Sequence, residues 1–431
     1  MKAIFALKRG FVNAIRVGWF LALRQVKRGG KGTTTLIIFI MVLTFLNLVV
    51  VSGLLMGLIT GSFQAFRESY SGEVLVTPAP MHDYIENSAA LIPFLENHPR
   101  VTGISPRHSA GVTILGTLTD LPGKNERQNK IAAQLVGIDP AKEEAVTRFS
   151  RFIIKGQALQ EGEDGYMVLG GNFLRNYSDF ADANIPGIDF LSDVDVGNRV
   201  RVMLVTKDGA VVQKDFIVKG IAKTKVDQVS TRFFVNAAEL KRMLPVNKEQ
   251  YEEIAVNTDI EYAPQLVQEI KTFLGSDARV QTYQEAIPSF LRDIETTMAV
   301  LGNALSSIAL VVASITVFIV IFINAVTKRK FIGIMKGIGV SPLAIEISYI
   351  FQALFYGVVG SAIGLFITFG LLKPYFDAYP INFPFSDGIL VATPFGAGLR
   401  VFILLVVTLL AGYIPAKLIV RRNTLDAILG R

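Results

Sequence analysis

Three histidines, His82, His98 and His108, are the only imidazoles in the 431-residue chain. Imidazole is the side chain best suited to proton transfer or metal binding near neutral pH. They lie in PMHDY, ENHPR and SPRHSA, with no His-Glu-x-x-His pair to share a helical face and no Gly-x-Ser-x-Gly elbow. Scattered in this way they read as surface residues of loops. GGKGTTT at 29–35 has the glycines and lysine of a phosphate-cradling loop. It departs from one because Lys31 is followed by Gly32 in place of Ser or Thr, and position 25 is Gln25. The chain has no cysteine, which removes thiol chemistry and cysteine metal sites. None of these motifs gives an ATP-binding or catalytic signature.

The residues that invite a function are of another kind. KRKFIGIMKGIGVSPLAIEIS, 328–348, is too apolar for an ordinary surface loop and too polar for lipid. Gly337 and Gly339 allow a tight bend or a close backbone approach. Ser341 and Pro342 make a helix start. A short half-apolar helix at a water boundary is suited to touching a soluble partner.

Such a segment must be positioned by long apolar elements. The chain is 51% hydrophobic and 18% charged, with a mean hydropathy of +0.44. Crossing a bilayer takes about 20 apolar residues. Uncharged stretches of that length run from Gly32 to Phe66, Thr296 to Thr327 and Ile347 to Leu372; a fourth, Val401 to Ala416, is extended by the residues before Arg400, which has the length to snorkel to the interface. The first apolar core, Leu36 to Ile59, is too long for a signal peptide's apolar region of roughly 7–15 residues. Residues 1–31 hold eight Lys/Arg and no acid, and the segments after the second and fourth spans are also basic. The segment 67–295 holds 25 Lys/Arg against 32 Asp/Glu. By the positive-inside rule both termini are cytoplasmic and the large segment lies outside. The basic balance therefore says nothing of nucleic acid, and no nucleic-acid partner is expected.

The expected organisation is a cytoplasmic amphipathic helix at 1–31, span one with an outward extension at 34–66, and an α+β extracytoplasmic domain at 67–288. A stalk and span two follow at 289–328, a cytoplasmic segment at 329–346, span three at 347–372, an external loop at 373–398, span four at 399–418 and a tail at 419–431. The fold class is thus an α-helical membrane protein with four transmembrane helices and a large α+β domain between spans one and two. Arg9, Arg16 and Arg24 fall on one stripe of the first helix, with Trp19 beside it, as suits a helix in the membrane interface. Gly53, Gly57 and Gly61 in span one, and Gly357, Gly360 and Gly364 in span three, read as small faces for close helix packing. GEVLVTP, RVRVMLVT, VVQKDFIVKGIA and RFFVN read as strands, NAAELKRML and APQLVQEIKTFLG as helices, and LTDLPGKNERQNK as a loop. Spans one to three carry no charge inside them, unlike ion pumps and proton relays. Span two, about 40 residues at ~1.5 Å each, exceeds a ~30 Å apolar layer and must project beyond it.

FIGIMKGIGVS resembles the EIGILKAIGAS-type segment of the FtsX-like permeases, the group that contains the MacB and LolC/LolE membrane subunits, except that Phe331 replaces the acidic residue. The tail YIPAKLIVRRNTLDAILGR is similar to the ending PARRAARLDPVEALR, and GQALQEGEDGYMVLGGNFL with DVGNRVRVML is similar to the family's external elements. The resemblance implies a non-catalytic type VII ABC transporter subunit with a MacB-like periplasmic core, itself binding no metal and no cofactor, in the bacterial inner membrane. It implies a dimer of permease chains, homo- or heteromeric, with two cytoplasmic ABC ATPases that carry ATP and Mg. A periplasmic adaptor or lipoprotein carrier would be a further partner, and the lipid bilayer is the medium. Carried onto this chain, Ile334, Met335, Gly337, Ile338 and Gly339 would seat in an ATPase groove, with Lys336 at its rim and Ser341 and Pro342 starting the next helix; Phe331 would make no ion pair. ATP-driven motion would pass through this segment and the stalks to the external domain, for export or extraction of an amphiphile or lipoprotein. The alternative is a membrane-anchored extracytoplasmic sensor or regulator that signals through a cytoplasmic partner.

Overall fold

The structure, a computed structural model, describes residues 2–28, 31–116, 129–178, 181, 189–206, 209–244, 250–276, 278–383 and 386–420. Most of the loop expected at 118–130, and the tail beyond 420, lie outside these residues. The principal helices in chain order are α1 Lys2–Arg28, α2 Lys31–Ser71, α3 Ser88–Glu96, α4 Pro140–Thr147, α5 Ala237–Met243, α6 Ala263–Leu274, α7 Ser289–Thr327, α8 Arg329–Gly337, α9 Pro342–Ala378 and α10 Pro394–Val420. Helix α2 contains π-helical turns at Asn47–Val51 and Arg67–Ser71, and α9 has one at Thr368–Leu372. The chain forms two compact units. One is Met1–Leu58 with Asp293–Ile381 and Gly388–Arg431; the other is Ile59–Arg292 with Asn382–Asp387.

The first unit holds the apolar helices. Among the described residues four are long and apolar enough to cross a membrane: Lys31–Ser71, Ser289–Thr327, Pro342–Ala378 and Pro394–Leu418. Three differ in extent from the sequence expectation, α2 running from Lys31 to Ser71 against an expected 34–66. Helix α9 starts at Pro342 and continues to Ala378, and α10 starts at Pro394, so the expected loop 373–398 shrinks to 379–393. Ser341 caps α9, accepting from the Ala344 amide at 3.3 Å with Pro342 in the first turn, which makes 342–346 part of the long helix.

Met41, Phe45, Val317, Ile321, Tyr349, Ala353 and Leu404 form the centre of this unit. Small residues set the spacing. A Cβ on Gly357 would stand 2.9 Å from Leu405 of α10, while Gly360 and Gly364 face Met41 and the Phe45 ring of α2. Gly412, which the sequence analysis did not single out, faces Ala353 at 2.6 Å in the same sense. Gly53 and Gly57 differ from expectation. The nearest atoms to both belong to the extended segment before α10, where the Val391 amide donates to the Gly53 carbonyl at 3.1 Å and the Ile389 carbonyl occupies the space a Gly57 side chain would need. Gly61 is half-buried and belongs to the second unit.

Helix α1 is docked on protein along one edge. Ala14, Gly18 and Ala22, four residues apart, are buried, a Gly18 Cβ would meet Ile347 at 2.7 Å, and Trp19 meets Phe351 edge-on with centroids 5.1 Å apart. Gln352 donates to Gln25 at 2.6 Å. Arg16, Trp19 and Arg24 stay exposed with Phe11 and Phe20, while the side chain of Arg9 lies outside the described residues.

The second unit is α+β. Its strands are β1 Val74–Pro78, β2 Val101–Leu115, β3 Lys130–Ile138, β4 Ile153–Gly156, β5 Tyr166–Gly170, β6 Arg199–Val205, β7 Val211–Ala222, β8 Arg232–Asn236, β9 Glu253–Thr258 and β10 Ala278–Thr282. They join in one sheet of order β10-β1-β9-β2-β3-β8-β5-β7-β4, with β6 against β2 and β7. The long β2 pairs β9 with its first half and β3 with its second. One apolar core around Leu135, Phe216 and Phe233 and another around Val256, Leu266 and Ile270 therefore share a backbone. Gly72, at φ +61°, turns the chain from α2 into β1, and its amide donates to the Arg67 carbonyl at 3.0 Å.

Candidate coupling site

Helix α8 follows from local rules. After Lys328 the apolar residues Phe331, Ile332, Ile334, Met335 and Ile338 recur on two faces. The helix ends in a Schellman turn: the Val340 amide donates to the Met335 carbonyl at 2.9 Å and the Gly339 amide to the Lys336 carbonyl at 3.0 Å. Gly339 has φ +92°, which a residue with a Cβ adopts only under strain. Gly337 has no such requirement, and nothing stands within 4 Å of where its Cβ would be.

The inner face of α8 is Ile332, Gly333 and Met335, all buried; Ile332 and Met335 join the core with Ile345, Tyr349, Ala416 and Val420. The outer face is Phe331 at 65%, Ile334 at 52% and Ile338 at 76% exposure, followed by exposed Gly337, Gly339, Ser341, Pro342 and Leu343. Two of the expected contact residues are therefore misplaced. Met335 packs inward because it lies one turn from Ile332, on the side that α9 and α10 cover. Lys336 is half-buried and donates to the carbonyl of Val420 in α10, so it is not at an open rim. Phe331, singled out from sequence only for the missing acid, takes its place on the exposed ridge.

A second constellation, in the α+β unit, was not visible from the sequence. Arg107 of β2 holds Glu143 of α4 in a two-pronged ion pair at 2.8 and 2.7 Å, and both side chains are 3% exposed. Arg232 of β8 holds Glu253 of β9 at 3.0 and 2.8 Å, with Glu253 also 3.6 Å from Arg107. Tyr70, in the last turn of α2, lies beneath both guanidiniums, 5.3 Å from that of Arg107 and 5.1 Å from that of Arg232. Ser105 and Thr147 hydroxyls donate to Glu143 at 2.6 and 2.8 Å. Burial pushes the Glu253 carboxyl up, but the Arg232 and then the Arg107 guanidinium outweigh it and hold it below the usual carboxylate range. Burial likewise opposes charge on Arg107, and Glu143 followed by Glu253 more than offsets that. The group ties the end of α2 to strands β2, β8 and β9 and to α4.

Among the described residues no group of three or more His, Asp or Glu is placed to hold a metal ion. His82 pairs with Glu86 at 3.2 Å and His98 with Glu269 at 3.0 Å. His108 corrects the reading of all three as surface loop residues: it lies in β2, is 3% exposed and stacks on Tyr251 with centroids 4.4 Å apart.

Residues 303–424, which take in most of α7 and all of α8, α9 and α10, match the family described as FtsX-like permease C-terminal. The match covers the C-terminal apolar helices and supports a likeness to FtsX-like permeases. No curated protein matches the chain. Solved structures similar to it include the periplasmic region of MacB from Actinobacillus actinomycetemcomitans, at 13% identity over 52% of this chain and 94% of that one with a TM-score of 0.33. The extracellular domain of the noncanonic ABC-type transporter YknZ from Gram-positive bacteria is similar at 11% identity over 48% of this chain and 99% of that one, with a TM-score of 0.29. Likenesses this distant carry no function across. Within the matched residues, α8 sits between the two long apolar helices α7 and α9, with its outer ridge exposed.

Proposed function

We propose that the chain is the membrane-spanning permease subunit of an ABC transporter, and that α8 is where a separate cytoplasmic ATPase docks. The observation that carries this reading is the two-faced helix. One apolar face of α8 is consumed by the core of its own unit, while Phe331, Ile334 and Ile338 form a second face. An apolar ridge beside an unobstructed glycine is suited to insertion into a groove on a partner. The match to FtsX-like permeases supports an ABC ATPase as the class of partner; in this reading it holds ATP and Mg, and two copies sit under a dimer of permease chains.

In this reading ATP-driven closure of the ATPases moves α8 and with it α7 and α9, and the motion reaches an α+β unit outside the inner membrane. The absence of carboxylates from the cores of the four apolar helices, among the described residues, favours such mechanical transmission over a polar conduit through the bundle. The buried Tyr70 cluster would let the end of α2 move as one piece with the sheet it joins. The work done would be export or extraction of an amphiphilic substrate or lipoprotein, with an adaptor or carrier protein receiving it.

Gentle detergent purification of the full chain from its host, with identification of co-eluting proteins, tests this. Gly337→Arg places a long charged side chain in open space on the ridge, so the fold is retained. Recovery of a Walker-motif ATPase with the wild type and its loss with Gly337→Arg is the expected result. An ATPase retained equally by the variant would remove α8 from the interface. Absence of any ATPase together with binding of an external ligand would leave the sensor reading in its place.

A further inference from the structure

The Tyr70 cluster contains a small cavity. Tyr70, Arg107, Glu143, Gln228, Val229 and Arg232 are among the residues that line it, all from the α+β unit. The space open to the centre of a water molecule is about 10 Å³, which is room for one. An apolar packing defect of that size would stay dry, but here a phenol, a carboxylate, a carboxamide and two guanidiniums belong to the residues around it.

One polar atom of that set lacks a hydrogen-bond partner among the described residues. Nε and Nη2 of Arg107 donate to Glu143 at 2.8 and 2.7 Å, whereas its Nη1 is buried without a hydrogen bond. The side chain is 3% exposed, so bulk water does not answer it. Glu253 Oε2 stands 3.6 Å from Nη1, an ion-pair separation but too long for a hydrogen bond. A donor of a charged group left in this state is costly. A polar separation just beyond direct contact is also where a bridging molecule is found.

The surroundings identify the guest. Nη1 can only donate, so the guest must accept, which excludes a metal ion or an ammonium. The charges of the cluster already balance, Arg107 and Arg232 against Glu143 and Glu253, so a halide or phosphate would be a third buried anion beside two carboxylates. The volume admits one atom of about the size of oxygen. We propose that the cavity is the binding site of a single internal water, which accepts from Arg107 Nη1 and donates to the Glu253 carboxylate. The water then links the Arg107–Glu143 pair to the Arg232–Glu253 pair, so the joint at the end of α2 has a hydrated centre. This inference uses no contact of α8 and stands or falls apart from ATPase docking.

Crystals of the full chain grown from lipid, diffracting well enough to show ordered water, read the site directly. The expected result is a density peak at about 2.7–3.2 Å from both Arg107 Nη1 and Glu253 Oε2, with no anomalous signal there after a bromide soak. A map with no peak at that position would overturn the proposal. So would a bromide signal at it, which would make this an anion site. Val229→Ile tests the same point without relying on the wild-type map, because it adds one methyl group to the cavity wall. It is expected to expel the water, so that the peak is lost and the thermal midpoint falls by about 2–4 °C. A raised midpoint would mean that the methyl had filled a dry space, and would overturn the proposal equally.

Discussion

The ridge on α8 and the cluster around Tyr70 are opposite departures from the same rule. On α8 large apolar side chains stand in the open; in the α+β unit two arginines and two glutamates are shut inside. Leaving Phe331, Ile334 and Ile338 outside costs the folded chain little, because they are as exposed unfolded as folded. Enclosing Arg107, Glu143, Arg232 and Glu253 costs several kcal/mol per ion before pairing offsets it, so the cluster holds only while each charge keeps its partner. Under the proposed function, the difference separates a docking surface from a joint that must stay intact. Substitutions on the ridge should alter association and leave folding alone; those in the cluster should alter folding first.

The largest effect is expected where the contrast is sharpest. Glu253→Ala leaves Arg232 buried without its carboxylate and should destabilise the chain by about 3–5 kcal/mol, read as a lowered thermal midpoint of the purified chain in detergent. The same residue sets a pH response. Because Glu253 is held below the ordinary carboxylate range when folded, its stabilisation is fully present above the unfolded value near 4.3 and is lost as pH falls through the lower folded value. Thermal midpoints measured on the acid side should therefore drop more steeply for the wild type than for Glu253→Gln. A parallel pair of curves would show that the cluster is not what acid attacks.

Within α8 itself, Met335→Ala and Ile334→Ala compare the two faces of one helix. Met335 fills the core, and its truncation should cost about 2–4 kcal/mol of stability. Next in size comes Gly339→Ala, where a Cβ is forced into positive φ, at roughly 1–2 kcal/mol. Ile334→Ala should change stability by no more than about 0.5 kcal/mol while weakening ATPase co-purification. Equal stability losses at 334 and 335 would mean that the ridge is covered by the chain itself.

The short-range features were legible because they are decided within a few residues. Strands β7 and β8 coincide with VVQKDFIVKGIA and RFFVN, and Gly275, at φ +68°, stops α6 where the glycine stood in the pattern. Gly339 and Ser341–Pro342 likewise punctuate the chain as their backbone chemistry requires. Strands β2 and β3 were harder to see, since β2 includes Gly103, Pro106 and Gly111 and owes its extended form to pairing with β9, β3 and β6.

By itself the sequence determined the apolar helices and the caps, because burying a run of some 20 uncharged residues in lipid and closing a helix on glycine are local decisions. It could not choose between the two faces of α8, since Ile332–Met335 and Phe331–Ile334–Ile338 are equally apolar and only the placement of α9 and α10 buries one of them. Nor could it assemble the Tyr70 cluster, whose charges come from Arg107, Glu143, Arg232 and Glu253, each unremarkable among its neighbours in the chain. Their partners were assigned by the order of strands in the sheet. Periodicity records that a side chain needs company; which company it keeps is a property of the packed structure.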